Sequence, residues 1–223
     1  MATTIVIGSD SGVGFEVAKR FGKGGQRIVL VSRNQEKLTA ATDQLTDLGI
    51  LAVNYVCDAN DFTAIEQMMK ALTKDYEDIT NLVFNVGNKH LDDALSSDIG
   101  LIQDIFKTNV SSAIVSAQEF IKNTDPDLKR AIIFTGGGAS IRPSAKASTL
   151  SLTKAALRSY AYTLHDQVID QNIYVGLVTI QGLIGASEEM APGMIAETYW
   201  QMLKKRDAVE SFYPEHFDGS EFD

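Results

Sequence analysis

The sequence is short of several residue types, and each shortage excludes a class of protein. It has one cysteine, Cys57, among 223 residues, so an intramolecular disulfide is impossible and a cysteine-based metal site is not expected. No run approaches the roughly 18 apolar residues that a membrane-spanning helix needs. The first eight residues, Met-Ala-Thr-Thr-Ile-Val-Ile-Gly, carry no basic side chain and are not expected to form a signal peptide.

Positive charge is also in deficit. Asp and Glu total 29 against 20 Lys and Arg, which gives a formal net charge of −9. Nucleic acids and anionic membrane surfaces are polyanions, so this balance disfavours both as partners. Six of the acids and no Lys or Arg lie in residues 207–223, which predicts an acidic, solvated C-terminal tail. We expect a cytoplasmic protein whose partners are small molecules.

Apolar runs of strand length alternate with amphipathic segments of helix length along the whole chain. The composition, 44% hydrophobic and 22% charged, is ordinary for a globular protein, and residues 1–223 are expected to form one domain. Strands are predicted at Thr3–Ile7, Arg27–Val31, Ile50–Val56, Asn81–Asn85, Ala131–Thr135 and Ile173–Ile180. Helices are predicted at Gly14–Gly22, Gln35–Leu48, Asp61–Lys74, Leu101–Lys122, Thr149–Val168 and around Met194–Lys205. This order predicts a doubly wound, three-layer α/β sandwich with a mainly parallel sheet.

A glycine-rich loop follows the first predicted strand. It runs Gly8, Ser9, Asp10, Ser11, Gly12, Val13 and Gly14. Glycines allow the backbone to turn sharply and to approach a pyrophosphate, while the N-terminus of the next helix directs N–H groups at the anion. At the first strand–helix junction of an alternating chain, this loop predicts dinucleotide binding. Asp10 is unfavourable beside an anion unless it points to solvent or caps the helix.

The end of the second predicted strand carries the signal for cofactor preference. An acidic residue there would bind the 2′-hydroxyl of NAD, whereas this chain has Ser32 and Arg33. A hydroxyl and a guanidinium suit a 2′-phosphate. The sequence therefore favours NADP(H) over NAD(H), with a solvated loop cation as the alternative interpretation of Arg33.

From Thr3 to Ile184 the chain resembles the short-chain dehydrogenase/reductase family, whose fold is Rossmann-like. The matching positions are the loop Gly8–Gly14, Asp58 with Ala59 after the third strand, Asn85-Val86-Gly87 after the fourth, Asn109, Lys154 in Thr-Lys-Ala-Ala-Leu, and Gln181-Gly182 after the sixth. The resemblance implies cofactor binding by the loop, Ser32, Arg33, Asp58, Ala59, Asn85, Val86, Gly87, Lys154, Gly182 and Ile184. It also implies catalytic roles for Lys154 and Asn109, a homodimer or homotetramer, and no metal.

The catalytic pair of the family is incomplete in this chain. In the family a tyrosine four residues before the lysine donates the proton, and the lysine lowers its pKa and binds the ribose. Here that position is Leu150, and the family serine falls within Gly136-Gly137-Gly138. Motifs at Phe134–Gly138, Ala147–Arg158 and Ile195–Trp200 resemble a divergent bacterial branch. The terminal strand is expected to be missing or reduced to about Val209–Tyr213.

Four residues are candidates for a replacement proton donor. Ser151 lies one helical turn before Lys154 and Ser148 two turns before, although helix N-capping and first-turn solvation are favoured for Ser148 and Thr149. His90 follows the Gly87 turn, where a plain surface residue is the favoured interpretation. Tyr199 lies on a late segment, 187–206, that we expect to form a substrate lid; packing with Trp200 is favoured for it.

Three functions remain open. The first is an NADP(H)-dependent oxidoreductase that acts on a small carbonyl or alcohol with a non-standard proton donor. The second is a non-catalytic NADP(H)-binding sensor or regulatory protein. The third, a subunit kept for assembly alone, is disfavoured because the glycine loop, Arg33, Asp58, Asn85 and Lys154 are all present.

Overall fold

The structure, a computed structural model, describes residues 1–217 and Gly219. Three acids of the predicted tail, Asp218, Glu221 and Asp223, therefore lie outside the described residues.

Seven strands form one sheet, and every neighbouring pair is parallel. Their order across the sheet is β3-β2-β1-β4-β5-β6-β7, so the central β1 pairs with β2 on one side and β4 on the other. The strands are β1 (Thr3–Ile7), β2 (Arg27–Ser32), β3 (Ala52–Val56), β4 (Ile79–Phe84), β5 (Arg130–Thr135), β6 (Ile173–Ile180) and β7 (Glu210–Tyr213). The predicted doubly wound architecture is confirmed, because the order reverses beside β1 and helices cover both faces.

Helices fill the two outer layers. They are α1 (Gly12–Lys23), α2 (Gln35–Asp47), α3 (Phe62–Asp75), α4 (Ile99–Phe106), α5 (Ser112–Asn123), α6 (Ser148–Val168) and α7 (Pro192–Lys205). One buried apolar cluster joins α3, α5 and α6 to the sheet, and a second joins α1, α2 and α7 to its other face. Burial on both faces explains why the strands are continuous apolar runs. None of the described helices is long and apolar enough to cross a bilayer.

The segment predicted as one helix over Leu101–Lys122 is helical throughout but changes its pitch. Lys107–Ser111 forms a π-helical turn between α4 and α5, and Asn109 lies at its middle. A π turn inserts one extra residue per turn and commonly marks a functional position.

The expectation that residues 187–206 form a lid over the substrate stays a prediction, and the structure gives the position of α7 within this segment. This helix packs along α1, and its apolar face is buried against the sheet through Ile195, Tyr199 and Leu203. Trp200 meets Phe21 edge to face with ring centroids 5.5 Å apart. The buried face of α7 therefore belongs to the layer beside α1.

The expectation of a shortened terminal strand is confirmed by β7. Glu210–Tyr213 pairs with β6, and Glu210 fixes the strand to α6. The Glu210 carboxylate is 3% exposed and accepts hydrogen bonds from Nε of Arg158 at 2.9 Å and from the hydroxyls of Tyr162 at 2.7 Å and Thr179 at 2.6 Å. Part of the acidic tail is therefore structural rather than solvated.

Candidate functional site

A cleft of about 1080 Å³ opens at the carboxyl ends of the strands. This edge, where the strand order reverses, is the ligand-binding edge of doubly wound sheets. The predicted cofactor-binding residues that line it are Gly8, Asp10, Ser11, Gly12, Val13, Ser32, Arg33, Asp58, Ala59, Asn85, Val86, Gly87, Lys154, Gly182 and Ile184. Ser9 and Gly14 are absent from this lining.

The two predicted residues outside the lining shape the glycine loop from behind. Ser9 is fully buried, and its hydroxyl accepts a hydrogen bond from the Val31 amide at 2.9 Å, which ties the loop to β2. A side chain on Gly14 would overlap the carbonyl oxygen of Gly8. Gly8 itself has φ +84°, in the left-handed region that favours glycine. Ser9 and Gly14 therefore shape the glycine loop and do not line the cleft.

An acidic and a basic side chain, Asp10 and Arg33, lie on the same wall of the cleft. The Asp10 carboxylate neither caps α1 nor stands free, because it accepts a hydrogen bond from the Ser32 hydroxyl at 2.7 Å. Arg33 is exposed and forms no ion pair with any described residue. A guanidinium on the cleft wall is thus available to an anion, while the hydroxyl beside it is already engaged.

A hydrogen-bonded chain supports the middle of the cleft. Nδ2 of Asn85 donates to the Gly8 carbonyl at 3.1 Å, and Oδ1 of Asn85 accepts from the Thr135 hydroxyl at 2.9 Å. The backbone carbonyl of Thr135 accepts from Nζ of Lys154 at 2.9 Å. Asn85 therefore joins the glycine loop to β5, and Thr135 aims the lysine ammonium into the cleft.

Asn109 is buried and does not line the cleft, but it is hydrogen-bonded to residues beside it. It is 1% exposed; Oδ1 accepts from the Asn88 amide at 2.6 Å, and Nδ2 donates to the Thr153 hydroxyl at 2.9 Å. It thus joins the loop after β4 to the residue that precedes Lys154. The catalytic role expected for Asn109 stays a prediction, and the bonds of its polar atoms to protein partners fit a residue that positions Lys154.

One end of the cleft is built from Lys154, Leu150, Gly136 and Gly137. Leu150 and Lys154 are four residues apart on α6, so both side chains face the same side of the helix. A Cβ on Gly137 would stand in ordinary contact, 3.6 Å from Cε of Lys154. A Cβ on Gly136 would lie 2.6 Å from the Thr179 hydroxyl, which is too close. We call this the lysine end of the cleft.

Comparison with known proteins agrees with this geometry. The family model described as short chain dehydrogenase matches residues 2–191. The chain belongs to the short-chain dehydrogenase family. It is 26% identical over 195 residues to the uncharacterized oxidoreductase DltE of Bacillus subtilis, covering 86% of this chain and 71% of that protein. It is 30% identical over 183 residues to a very-long-chain 3-oxoacyl-CoA reductase of Emericella nidulans, covering 78% of this chain but about half, 51%, of that one.

The fold of this short-chain dehydrogenase is also that of solved relatives. An actinorhodin polyketide ketoreductase variant crystallised with NADPH superposes with a TM-score of 0.87 at 19% identity, with 95% of each chain covered. The divergent bacterial branch suggested by the later motifs stays a prediction.

The candidate proton donors of this family member do not reach the cleft. The Ser151 hydroxyl donates to the Ala147 carbonyl at 2.7 Å, and Ser151 and Ser148 line a separate shallow depression. His90 is exposed and absent from the cleft lining. Tyr199 is fully buried, its hydroxyl lies 2.7 Å from that of Thr135, and burial raises its pKa.

The start of α6 is held by a residue that the sequence did not indicate. The N-cap is Ala147, which has no capping side chain, so the capping favoured for Ser148 and Thr149 is corrected. Asp92, 57 residues away, accepts a hydrogen bond from the Thr149 amide at 2.9 Å and a second from the Ser97 hydroxyl at 2.9 Å. Partial burial raises the pKa of Asp92, but the bonds from Thr149 and Ser97 outweigh it and hold the pKa below its ordinary value.

Other cleft residues were also missed. Besides the residues of the lysine end, they are Ile7, Cys57, Asn60, Asn88, Lys89, Leu101, Asp104, Lys107, Thr108, Thr135, Ile180 and Leu183. Burial, with the nearby Asp61 and Asp58, raises the pKa of the Cys57 thiol to about 11, so it stays protonated at neutral pH. Thr135 carried the one usable signal, since it ends a predicted strand directly before three glycines. No group of three or more metal-ligating side chains occurs among residues 1–217.

Proposed function

We propose that the chain is an NADP(H)-dependent oxidoreductase that transfers hydride between the nicotinamide and a small carbonyl or alcohol. The observation that carries this proposal is one continuous cleft with the glycine loop and Arg33 in its walls together with Lys154. The family supports it, as does the NADPH in the ketoreductase structure.

The residues present fit a dinucleotide. Gly8 and Gly12 have φ of +84° and +59°, and Gly14 approaches Gly8 so closely that a side chain there would overlap the Gly8 carbonyl, so the loop turns tightly into the N-terminus of α1. The amides there would hold the pyrophosphate. Arg33 would bind the 2′-phosphate, Asp58 and Ala59 the adenine, and Lys154 the nicotinamide ribose.

Lys154 is the central group of the mechanism. The bound dinucleotide supplies or accepts the hydride; this chain must orient the substrate and handle one proton. An ammonium is a donor only, and its bond to the Thr135 carbonyl at 2.9 Å holds the lysine head at this end of the cleft. Because Leu150 and Gly137 bring no acidic group to the lysine end, we infer that solvent water at this end of the cleft delivers the proton. Such a site is slower than one with a built-in acid by about 10²- to 10⁴-fold.

The first experiment measures cofactor binding through NADPH fluorescence in the wild type and in Lys154→Ala. The matched control is Lys129→Ala, an exposed lysine that precedes β5 at the opposite edge of the sheet. We expect wild type and control to bind equally and Lys154→Ala to bind about tenfold more weakly, as for a lost hydrogen bond to a charged group. Absence of NADPH binding by the wild type would refute the proposal.

The second experiment measures turnover of a panel of small aldehydes and ketones with NADPH. We expect slow reduction that Lys154→Ala abolishes and Lys129→Ala leaves intact. Tight NADPH binding with turnover at the buffer rate for the whole panel would instead identify a cofactor-binding protein without catalysis.

A further inference from the structure

The described end of the chain returns to the cleft. We call residues 214–217 together with Gly219 the C-terminal strap. It leaves β7 at Tyr213, whose carbonyl oxygen accepts a hydrogen bond from the Gln181 amide at 2.6 Å. The Gln181 side chain then donates to the Pro214 carbonyl at 3.0 Å. The strap therefore starts bound to the residue that directly precedes Gly182.

The strap next covers Gly182 itself. A Cβ on Gly182 would lie 3.3 Å from Cε2 of Phe217, so the half-buried ring occupies the space a side chain would need. Gly182 has φ +113°, in the left-handed region, and with Leu183 and Ile184 it lines the cleft. The aromatic ring is thus the outer support of the β6 loop at the cleft.

The far side of the strap is bound to the loop after β5. Nη1 of Arg142 donates to the carbonyl oxygens of Phe217, at 2.5 Å, and Gly219, at 3.0 Å. Its guanidinium carbon lies 5.9 Å from the Phe217 ring centroid, within cation–π range. Arg142 follows the turn Gly138–Ser140, which itself follows the cleft residues Gly136 and Gly137. The strap therefore joins the two loops that border the lysine end.

The strap shares this place with Met190, whose Cε would lie 3.6 Å from the same Cβ on Gly182. The helix α7 packs in the layer beside α1, and residues 187–206 are absent from the cleft lining. Gly182, Leu183 and Ile184 are held from outside by the strap and by the bond from the Gly185 amide to the Met190 carbonyl at 2.9 Å.

We propose that Phe217 and Arg142 are positioning residues for the nicotinamide half of the cofactor, acting through Gly182–Ile184. The proposal rests on the proposed cofactor function. Its consequence is selective: loosening the strap weakens binding of a whole dinucleotide and leaves its adenosine half unaffected. Among the described residues, no hydrogen bond or ion pair joins the strap to the glycine loop, Arg33 or Asp58.

The experiment compares two probes on four proteins. NADPH occupies the whole cleft, whereas 2′,5′-ADP occupies only the adenosine half. The proteins are the wild type, Phe217→Ala, Arg142→Ala and the control His216→Ala, an exposed neighbour without a hydrogen bond or ion pair to the described residues. We expect Phe217→Ala and Arg142→Ala to weaken NADPH about three- to tenfold, as for loss of preorganisation in one loop. Affinity for 2′,5′-ADP should stay within twofold in every variant.

The combined variant Phe217→Ala/Arg142→Ala adds a second criterion. If the two residues act as one strap, the double substitution weakens NADPH no more than the stronger single one. Equal loss of both probes, unchanged NADPH binding, or the same loss in His216→Ala would each overturn the proposal.

Hydrogen exchange of the cofactor-free protein separates failure of this inference from failure of the proposed function. In Phe217→Ala the amides of Gln181 and Gly185 should exchange about tenfold faster than in His216→Ala, because local opening becomes easier. A wild type that binds neither probe refutes the proposed function, and unchanged exchange at these two amides refutes the strap.

Discussion

The hydroxyl of Tyr199 lies 2.7 Å from Oγ1 of Thr135 and completes a buried chain that reaches the glycine loop. Thr135 gives its own proton to Oδ1 of Asn85, so Tyr199 is the donor to Thr135. Asn85 then donates to the carbonyl of Gly8. A helix in the layer beside α1 thereby fixes Thr135, which also receives the Lys154 ammonium on its carbonyl.

The hydrogen bonds from Tyr199 through Thr135 to Asn85 predict the effect of Tyr199→Phe. The variant keeps the ring but leaves the Thr135 oxygen without its donor, so it should lower the free energy of unfolding by about 1–2 kcal/mol. Chemical denaturation measures this change. Tyr160→Phe is the matched control, since the Tyr160 ring packs against Phe134 but its hydroxyl has no hydrogen-bond partner among the described residues. An equal loss of unfolding free energy in the two variants would contradict a stabilising hydrogen bond from Tyr199 to Thr135.

The geometry of the lysine end predicts that two substitutions, Gly137→Ser and Leu150→Tyr, together increase the rate of ketone reduction. Gly137 has an extended backbone, and its added Cβ would make ordinary contact, so Gly137→Ser is sterically allowed. Leu150→Tyr places a phenol one turn before Lys154, where the ammonium lowers its pKa. The double variant should reduce small ketones about 10²- to 10⁴-fold faster than the wild type.

The control for the expected rate increase places the serine at Gly136 instead of Gly137. Gly136→Ser would press its Cβ against the Thr179 hydroxyl, so with Leu150→Tyr it should lower the melting temperature and give no acceleration. An equal rate gain from either serine would show that the acceleration does not come from the geometry at Gly137.

Structural features that depend on residues close together in the sequence could be predicted. Strands buried on both faces are apolar throughout, and the glycine loop needs its glycines for backbone reasons, so both could be predicted. The position of α7 could not, because an amphipathic pattern shows that one face is buried but not which layer buries it. Asp92 and Arg142 were missed for a related reason: each acts on a segment far along the chain, and only the fold brings them together.

The site at Glu210 predicts a pH dependence of stability. Burial raises the pKa of this carboxyl, but bonds from Arg158, Thr179 and Tyr162 outweigh it and hold the pKa below its ordinary value. A lowered folded-state pKa stabilises the fold at neutral pH, and that contribution is lost as the pH falls below about 4.3, the value in an unfolded chain. Glu210→Gln should cost about 2 kcal/mol at pH 7, and its deficit against the wild type should shrink at acid pH.

Glu197→Gln is the control for Glu210. Glu197 pairs with Arg20 but is 45% exposed, so water screens the pair and the substitution should cost less than about 1 kcal/mol. Urea denaturation at several pH values measures both variants. A Glu210→Gln deficit that is independent of pH would show that packing, rather than charge, fixes β7.

Two residues of opposite charge on the same cleft wall bear on the proposed preference for NADP(H). Arg33 has no anionic partner among the described residues, whereas Asp10 lies on the same cleft and holds the Ser32 hydroxyl. If Arg33 binds a 2′-phosphate, Arg33→Ala should weaken NADPH about 10- to 100-fold and NADH by less than threefold. Lys37→Ala, an exposed cation in the first turn of α2 outside the cleft lining, should change neither affinity.

Asp10→Asn tests the same cleft wall, and we expect it to change NADPH affinity in the direction opposite to Arg33→Ala. The amide can still accept the Ser32 hydrogen bond but removes a negative charge from the region of the 2′-phosphate, so NADPH should bind several-fold more tightly and NADH should be nearly unchanged. Fluorescence titration at two salt concentrations measures this, and the gain should diminish at high salt because screening weakens the repulsion. Tighter binding of NADH than of NADPH in Asp10→Asn would assign this wall to an unphosphorylated ribose and would overturn the preference for NADP(H).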